Sequence, residues 1–187
     1  MHELANAELQ LRPLDEADAP ALVEAVQESR TSVGRWMSWA TADYGPPAAL
    51  SWIAACRAGR ADGSSHEFGI WRRSDGRLLG VAGLNQFNPV NHFCNLGYWV
   101  RASAQRQGVA VAAVGLLRPL AFETLGLTRL EIVVAVGNQP SAAVAQRVGA
   151  RLEGIARHRL WLHGQPVDAW LHGLLPSDGA TPARPHA

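Results

Sequence analysis

Lysine is missing from this sequence, in which all 17 lysine and arginine positions are arginines. A chain without lysine has no Walker A lysine, no lysine that forms a Schiff base with pyridoxal phosphate and no kinase β3 lysine. Three large enzyme classes are therefore excluded. The length of 187 residues fits one domain with a hydrophobic core of its own.

Charge is also scarce. Charged residues make up 18% of the sequence, below the roughly 25% of an average soluble domain, and hydrophobic residues make up 48%. The formal net charge is only +1, whereas a nucleic-acid-binding protein needs a clustered basic face. We therefore expect a folded domain that does not bind nucleic acid.

The two cysteines, Cys56 and Cys94, form no C-x-x-C motif, and the seven histidines are scattered. Neither a disulfide framework nor a metal site is expected from this spacing. The longest apolar run, residues 109–117, is too short to cross a bilayer. Residues 1–10 contain acids and no apolar stretch of the kind found in signal peptides. These patterns favour a cytoplasmic protein that does not associate with membranes.

Hydrophobic periodicity and turn signals predict seven strands and four helices. The segments predicted as strands are residues 8–14, 67–71, 78–87, 95–101, 129–136, 152–162 and 167–175. The predicted helices are residues 15–29, 48–60 and 109–125, the last with a kink at Pro119, and a fourth helix that has Pro140 near its start and ends at Gly149.

An antiparallel first half followed by a βαβ unit predicts an α+β fold with a mixed sheet. One domain is expected over residues 1–175. Residues 176–187, rich in proline, alanine and glycine, are expected to form a disordered tail.

The segment Gln105-x-x-Gly108-x-Ala110 lies between a predicted strand and a predicted helix. Backbone N–H groups at such a helix start can converge on a pyrophosphate, and Arg106 can add a charge-assisted contact. A short motif of this composition is expected about 0.6 times by chance in a chain of this length. An ordinary glycine at a loop-to-helix turn is therefore an equally good interpretation of the motif alone.

A second helix start follows Gly108 after 30 residues, at Asn138-x-x-Ser141. The separation equals one βαβ crossover, so the two helix starts are expected side by side at the ends of adjacent strands.

Four segments in this order resemble the GCN5-related N-acetyltransferase (GNAT) superfamily, in its RimJ/RimL-like branch of ribosomal-protein N-terminal acetyltransferases. They are Arg35-Trp36-Met37-Ser38-Trp39-Ala40, Leu96-Gly97-Tyr98-Trp99-Val100, Gln105-Arg106-Gln107-Gly108-Val109-Ala110, and residues 138–149. The resemblance implies a single GNAT domain whose mostly antiparallel sheet is splayed at the cofactor site and carries helices on both faces. It leaves a homodimer open.

The resemblance also implies that acetyl-CoA lies between the strands at 95–101 and 129–136, without a metal. The residues it assigns to the cofactor are Trp99 and Val100 through their backbone, Gln105, Arg106, Gln107, Gly108, Val109 and Ala110 as the pyrophosphate loop, and Asn138 and Ser141 near the cofactor arm. The acceptor would be an amine, either a protein N-terminus or a small molecule.

The chain departs from the family at the expected proton donor, because Ala145 stands where many relatives have tyrosine. Ser141 is then the remaining hydroxyl near the expected sulfur. A thiol with a pKa of about 8.5 needs only weak help to leave. Alternatively, Ser141 only caps the helix start.

A second departure is Asn95, which occupies the position of a frequent glutamate, because an amide cannot accept a proton. Glu67 and His92 are the candidate bases, unless water suffices and both side chains are simply solvated. Asn95 itself is a candidate for substrate binding.

Trp36 and Trp39 are three residues apart and are expected on one side of a helical turn. There they would line the acceptor cleft or belong to the core. A third departure, Ala150 in place of phenylalanine, predicts local repacking. The leading hypothesis is acetyl transfer from acetyl-CoA to an amine. The alternatives are a non-catalytic acyl-CoA-binding protein or transfer of a larger acyl group such as succinyl.

Overall fold

The computed structural model describes residues 4–178. Eight strands form one sheet in the order β1-β2-β3-β4-β5-β6-β8-β7. The strands are β1 (Leu4–Ala5), β2 (Leu9–Arg12), β3 (His66–Arg72), β4 (Leu78–Asn88), β5 (Phe93–Val100), β6 (Arg129–Ala135), β7 (Arg151–Leu162) and β8 (Gln165–Leu174). The α-helices are α1 (Ala19–Ser29), α2 (Pro46–Asp62), α3 (Val109–Pro119) and α4 (Gln139–Arg147).

Local signals in the sequence set the ends of the first two helices. The Asp15 side chain accepts a hydrogen bond from the Ala17 N–H at 2.9 Å, and the Asp18 carboxylate accepts one from the Asp15 N–H. These bonds form a capping box on the short 3-10 turn Glu16–Asp18, which leads directly into α1. Helix α2 begins with Pro46 and ends at Gly63, whose φ of +77° suits glycine. The predicted helices at 15–29 and 48–60 are confirmed.

The sheet separates two hydrophobic cores. Alternate residues of a strand face opposite sides of a sheet, and on β4 Ala82 belongs to the core covered by α3 and α4, whereas Val81 belongs to the core covered by α1 and α2. Helices therefore lie on both faces. The predicted α+β fold with a mostly antiparallel sheet is confirmed.

The strands β5 and β6 are the one parallel pair of the sheet in residues 4–178, and they separate after a short contact. Their pairing covers only Phe93 to Asn95 against Arg129 to Glu131, although β5 continues to Val100 and β6 to Ala135. The backbone of β5 beyond Asn95 is therefore left without a strand partner on the β6 side. This is the predicted splay.

Two segments differ from the sequence-based expectations. The two-residue strand β1 was not predicted. The predicted helix 109–125 changes at Pro119 into a wider turn of π-helix over Leu120–Thr124, because proline has no N–H for the regular ladder. In the segment 33–39, which was expected to form a helical turn, the N–H groups of Trp36 and Met37 are both bonded to the Val33 carbonyl at 2.9 Å.

The expected tail 176–187 lies mostly outside the described residues. Residues 176–178 form a turn, in which the Asp178 side chain accepts a hydrogen bond from the Leu175 N–H at 2.9 Å. Within residues 4–178 no helix has the length and apolar character to cross a membrane. The same part of the chain contains no group of three or more histidine, cysteine, aspartate or glutamate residues placed to hold a metal ion.

Candidate active site

The loop before α3 presents backbone N–H groups at the open end of the splay. Arg106 and Gly108 both have positive φ angles, +63° and +79°, and Gly108 immediately precedes the helix. The side chains of Val109 and Ala110 are buried in or beside the core, so only their backbone is offered to a ligand. Since the first N–H groups of a helix have no partner within it, this loop suits a pyrophosphate.

The two glutamines of this loop stabilise the loop itself. Gln105 donates from Nε2 to the Val100 carbonyl at 2.9 Å, and Gln107 donates from Nε2 to the Ser103 carbonyl at 2.8 Å. The bond from Gln105 occupies one acceptor site on Val100, which the sequence assigned to the cofactor. Arg106 is exposed.

An ion pair fixes the start of the same loop to α1. Arg101 is 1% exposed, its Nε donates to Glu28 Oε2 at 2.9 Å, and one terminal nitrogen lies 2.6 Å from Glu24 Oε1. Glu28 also accepts from the Ser103 N–H at 2.7 Å. The hydrogen bonds from Arg101 lower the pKa of Glu28 to about 2. The helix that covers the acceptor face is thereby tied to the segment that precedes Gln105.

At the start of α4, Ser141 lies beside an unexpected hydroxyl. Asn138 caps the helix through Oδ1, which accepts from the Ser141 N–H at 3.3 Å. The Tyr98 hydroxyl lies 3.2 Å from Ser141 Oγ and 3.1 Å from the Ser141 carbonyl oxygen. Burial raises the pKa of Tyr98 to about 12, so this phenol keeps its proton. Ala145 is fully buried.

Tyr98 was missed by the sequence reasoning. Its alternation with Cys94 and Leu96 places it on the α3 and α4 face of β5, which was the available signal. That it meets Ser141 depends on how far β5 and β6 diverge.

On the other face of β5, Glu67 is half-buried and held by two asparagines. Asn85 donates from Nδ2 to Glu67 Oε1 at 2.7 Å, and Asn95 donates from Nδ2 to Asn85 Oδ1 at 2.9 Å. Burial raises the pKa of Glu67, and the hydrogen bond from Asn85 opposes that effect. Asn95 thus reaches the carboxylate through Asn85, a residue that the sequence did not single out.

Two glycines keep the space in front of this carboxylate free. Glu67 pairs with Gly83 on β4, and Gly83 pairs with Gly97 on β5. A Cβ atom on Gly83 would overlap the Glu67 carboxylate, which shows that the carboxylate lies over Gly83. Gly97 belongs to the part of β5 that has already separated from β6. An uncovered path therefore leads from Glu67 to the splayed backbone.

A cavity of about 630 Å³ opens over this path. Its lining includes Glu67, Asn85 and the β5 residues Gly97 and Trp99, together with Trp39. The cavity is closed on its outer side by α2 and by the segment between α1 and α2. It has the size of a small-molecule binding site.

The two tryptophans of the α1–α2 segment contact different parts of the splay. The ring of Trp39 lies edge-on to Trp99 of β5, with centroids 5.8 Å apart. The ring of Trp36 lies against the loop after β6, with Cη2 3.7 Å from where a Cβ on Gly137 would be. That both rings lie on one side of a helical turn stays a prediction.

The structure does not bring His92 to this group. Its carbonyl accepts a hydrogen bond from the Thr128 N–H at 2.8 Å, and its side chain is exposed. It precedes Phe93, at the closed end of the β5–β6 pair. His92 stands six positions before Tyr98, which corresponds to about 20 Å along an extended strand.

Comparisons with known proteins agree with this geometry. Residues 8–151 match the family described as "Acetyltransferase (GNAT) domain". YdaF of Bacillus subtilis (strain 168), whose name assigns it provisionally to ribosomal N-acetylation, is 33% identical over 174 residues, 91% of this chain and 92% of that protein.

Solved structures show the same fold. A Vibrio cholerae protein, provisionally named a ribosomal-protein-serine acetyltransferase, is 32% identical with a TM-score of 0.82, covering 94% of this chain and 98% of that chain. RimL, a ribosomal L7/L12 alpha-N-protein acetyltransferase solved in complex with coenzyme A, has a TM-score of 0.85 at 23% identity, covering 93% and 98%. The chain belongs to the family of GNAT N-acetyltransferases, enzymes that use acetyl-CoA.

Proposed function

We propose that this N-acetyltransferase transfers acetyl from acetyl-CoA directly to an amine that enters the cavity beside Glu67. The observation that carries the proposal is the position of the splayed half of β5. One side of it meets Ser141 through Tyr98, and the other side lines the cavity that contains Glu67. A thioester beside this strand would have an amine site on one side and a proton donor on the other.

Acetyl-CoA, the acetyl donor, would be bound mainly by backbone groups of the protein. The N–H groups of Val109 and Ala110, at the start of α3, would bind the pyrophosphate, and Arg106 would add a charge. The backbone of β5 at Trp99 and Val100 has no strand partner on the β6 side. It would bind the amides of the pantetheine arm beside the hydrogen bond that Gln105 donates to the Val100 carbonyl. Asn138 has side-chain N–H groups that its cap does not use, and these remain to bind the same arm.

The amine must lose its proton before it attacks the carbonyl carbon. The carboxylate of Glu67 is suited to accept that proton because burial raises its pKa above its ordinary value and so makes it a stronger base. A new N–C bond then forms and the C–S bond breaks. The electron pair of that bond leaves with sulfur, and the thiolate takes a proton from Ser141 Oγ. The nitrogen loses its second proton as the amide forms, and solvent returns a proton to the pair of hydroxyls of Ser141 and Tyr98, which lie 3.2 Å apart.

Release of free thiol from acetyl-CoA in the presence of amines tests this function. Because the chain has no lysine, acetylation of the enzyme on its own ε-amines cannot obscure the result. His92→Ala is the control variant, since that side chain lies at the closed end of the strand pair. Turnover that requires an added amine supports the proposal. Tight binding of acetyl-CoA without turnover of any amine would favour a non-catalytic acyl-CoA-binding protein, and faster turnover with succinyl-CoA would favour the larger acyl group.

A further inference from the structure

The walls of the acceptor cavity are mainly apolar and aromatic. Trp39, Tyr44, Trp52 and Trp99 all contribute to them. Trp39 lies 5.8 Å from both Tyr44 and Trp99, measured between ring centroids. It is nevertheless 43% exposed, so much of its indole faces open space. Such a surface gains free energy when an apolar group covers it.

The charge inside the cavity is of one sign. Glu67 is the one ionisable carboxylate among the described residues that line it, and Ser51 and Asn85 are further polar members. None of those lining residues is an arginine or a histidine. An ammonium group is therefore attracted by the carboxylate and by the aromatic faces. A carboxylate on the acceptor would have no partner in the cavity.

The size of the cavity exceeds what a small side chain fills. Its volume is about 630 Å³, of which the thioester beside Trp99 would take a part, whereas an amine on a serine or alanine residue brings one hydroxymethyl or methyl group to these walls. An aromatic or branched aliphatic group next to the amine would cover the exposed indole and exclude water from Glu67.

We infer, on the basis of the proposed function, that the acceptor is a primary amine whose neighbouring carbon carries a bulky apolar group and no carboxylate. Two sources have this chemistry: a small arylalkylamine and a peptide that begins with a large apolar residue. In both, the amine reaches Glu67 while the apolar group packs on Trp39 and its aromatic neighbours. A free amino acid is disfavoured because its carboxylate enters a cavity without a basic side chain.

The kcat/KM values of five acceptors with acetyl-CoA test the inference: phenylethylamine, phenylalaninamide, phenylalanine, serinamide and a short peptide that begins with phenylalanine. Phenylalaninamide is expected to exceed serinamide by about 100-fold and to exceed phenylalanine by a similar factor. Phenylethylamine and the peptide distinguish the two sources. Whichever of them has the higher kcat/KM identifies whether the cavity admits a small arylalkylamine or a peptide N-terminus better.

A pair of variants on α2 connects the preference to the cavity. Ala55 lines the cavity and is exposed, so Ala55→Leu fills space without disturbing the core. Ala58 is equally exposed on the same helix and is not part of the lining, which makes Ala58→Leu the matched control. We expect Ala55→Leu to lower kcat/KM for phenylalaninamide by about 10-fold while sparing serinamide, and Ala58→Leu to change neither.

Equal or faster acetylation of serinamide would overturn the inference and leave the proposed function standing. An equal decrease of kcat/KM for phenylalaninamide and serinamide in Ala55→Leu would likewise overturn the inference and leave the proposed function standing. If no amine releases thiol although acetyl-CoA binds, the proposed function fails and the inference fails with it.

Discussion

Arg101 and Glu28 join the loop that precedes the proposed pyrophosphate site to the last turn of α1, with Arg101 Nε 2.9 Å from Glu28 Oε2. The guanidinium is almost completely buried, whereas the Glu28 side chain is 27% exposed. The two partners therefore differ in what their removal leaves behind. An unpaired guanidinium would stay buried, but an unpaired carboxylate would still reach water.

Glu28→Ala is expected to destabilise the protein by about 2 kcal/mol, because the buried guanidinium loses Glu28 and keeps Glu24, at 2.6 Å, as its one acidic partner. Arg101→Met should cost less, because it removes the buried charge and keeps most of the side-chain volume. Urea denaturation of both variants measures the difference. A larger loss of unfolding free energy in Arg101→Met than in Glu28→Ala would contradict this description of the pair.

The same pair predicts a dependence of stability on pH. The pKa of Glu28 is lowered from 4.5 to about 2, so the folded state binds its proton less tightly than the unfolded state. The stabilisation is fully present above pH 4.5 and is lost as the pH falls toward 2. The gap in unfolding free energy between the wild type and Glu28→Gln should be constant from pH 6 to 8 and shrink below pH 4.5. A difference in unfolding free energy that grows as the pH falls below 4.5 would be inconsistent with an ion pair between Arg101 and Glu28.

Glu67→Gln is expected to have the opposite effect on stability. Burial raises the pKa of Glu67 above 4.5, so the wild type loses stability as the pH rises from 4.5 through the folded pKa. Glutamine keeps an oxygen for the Asn85 N–H and carries no charge. The variant should therefore be more stable than the wild type at pH 8, and the advantage should disappear at pH 4. Unfolding free energies at the two pH values decide this.

The same Glu67→Gln variant should lose activity. Removal of a general base lowers kcat by about 100-fold, and the deficit should shrink at pH 9, where more of the amine is already neutral. A deficit that does not change with pH would assign Glu67 to binding instead of proton transfer.

Ser141→Ala is expected to lower kcat by about 10-fold with little change in the KM for acetyl-CoA, since a thiolate needs only weak help to leave. Tyr98→Phe should have a smaller effect because its hydroxyl would act through Ser141. Initial rates of thiol release measure both. Unchanged turnover in Ser141→Ala would show that Ser141 is not the proton donor and serves only at the start of α4.

Gly108→Ala has a matched control elsewhere in the chain. Gly108 and Gly63 have almost the same φ, +79° and +77°, and a Cβ on either would meet nothing within 4 Å. Both substitutions should cost about 1 kcal/mol for the left-handed backbone. Only Gly108→Ala should also raise the KM for acetyl-CoA, because Gly63 ends α2. An equal rise in Gly63→Ala would show that the effect is general strain.

Those parts of the fold that depend on local chemistry could be predicted from the sequence. The Asp15 cap, the Gly63 helix end and the Gly108 loop are each encoded by a few adjacent residues. The roles of Asn85 and Tyr98 could not be predicted, because strand register and splay decide which side chains meet. The contacts of Trp36 with Gly137 and of Trp39 with Trp99 could not be predicted for the same reason, since they are set by packing across the sheet. The homodimer and the assigned site residues stay predictions.

The proposed reaction is a direct transfer of acetyl from the thioester to an amine between the separated strands β5 and β6. Initial rates of thiol release, measured while acetyl-CoA and an amine are varied together, test it most directly. Direct transfer predicts intersecting double-reciprocal lines, no release without amine and no acetyl group on the protein by mass spectrometry. Parallel lines accompanied by an acetylated protein, or acetyl-CoA binding without release for any amine, would contradict it.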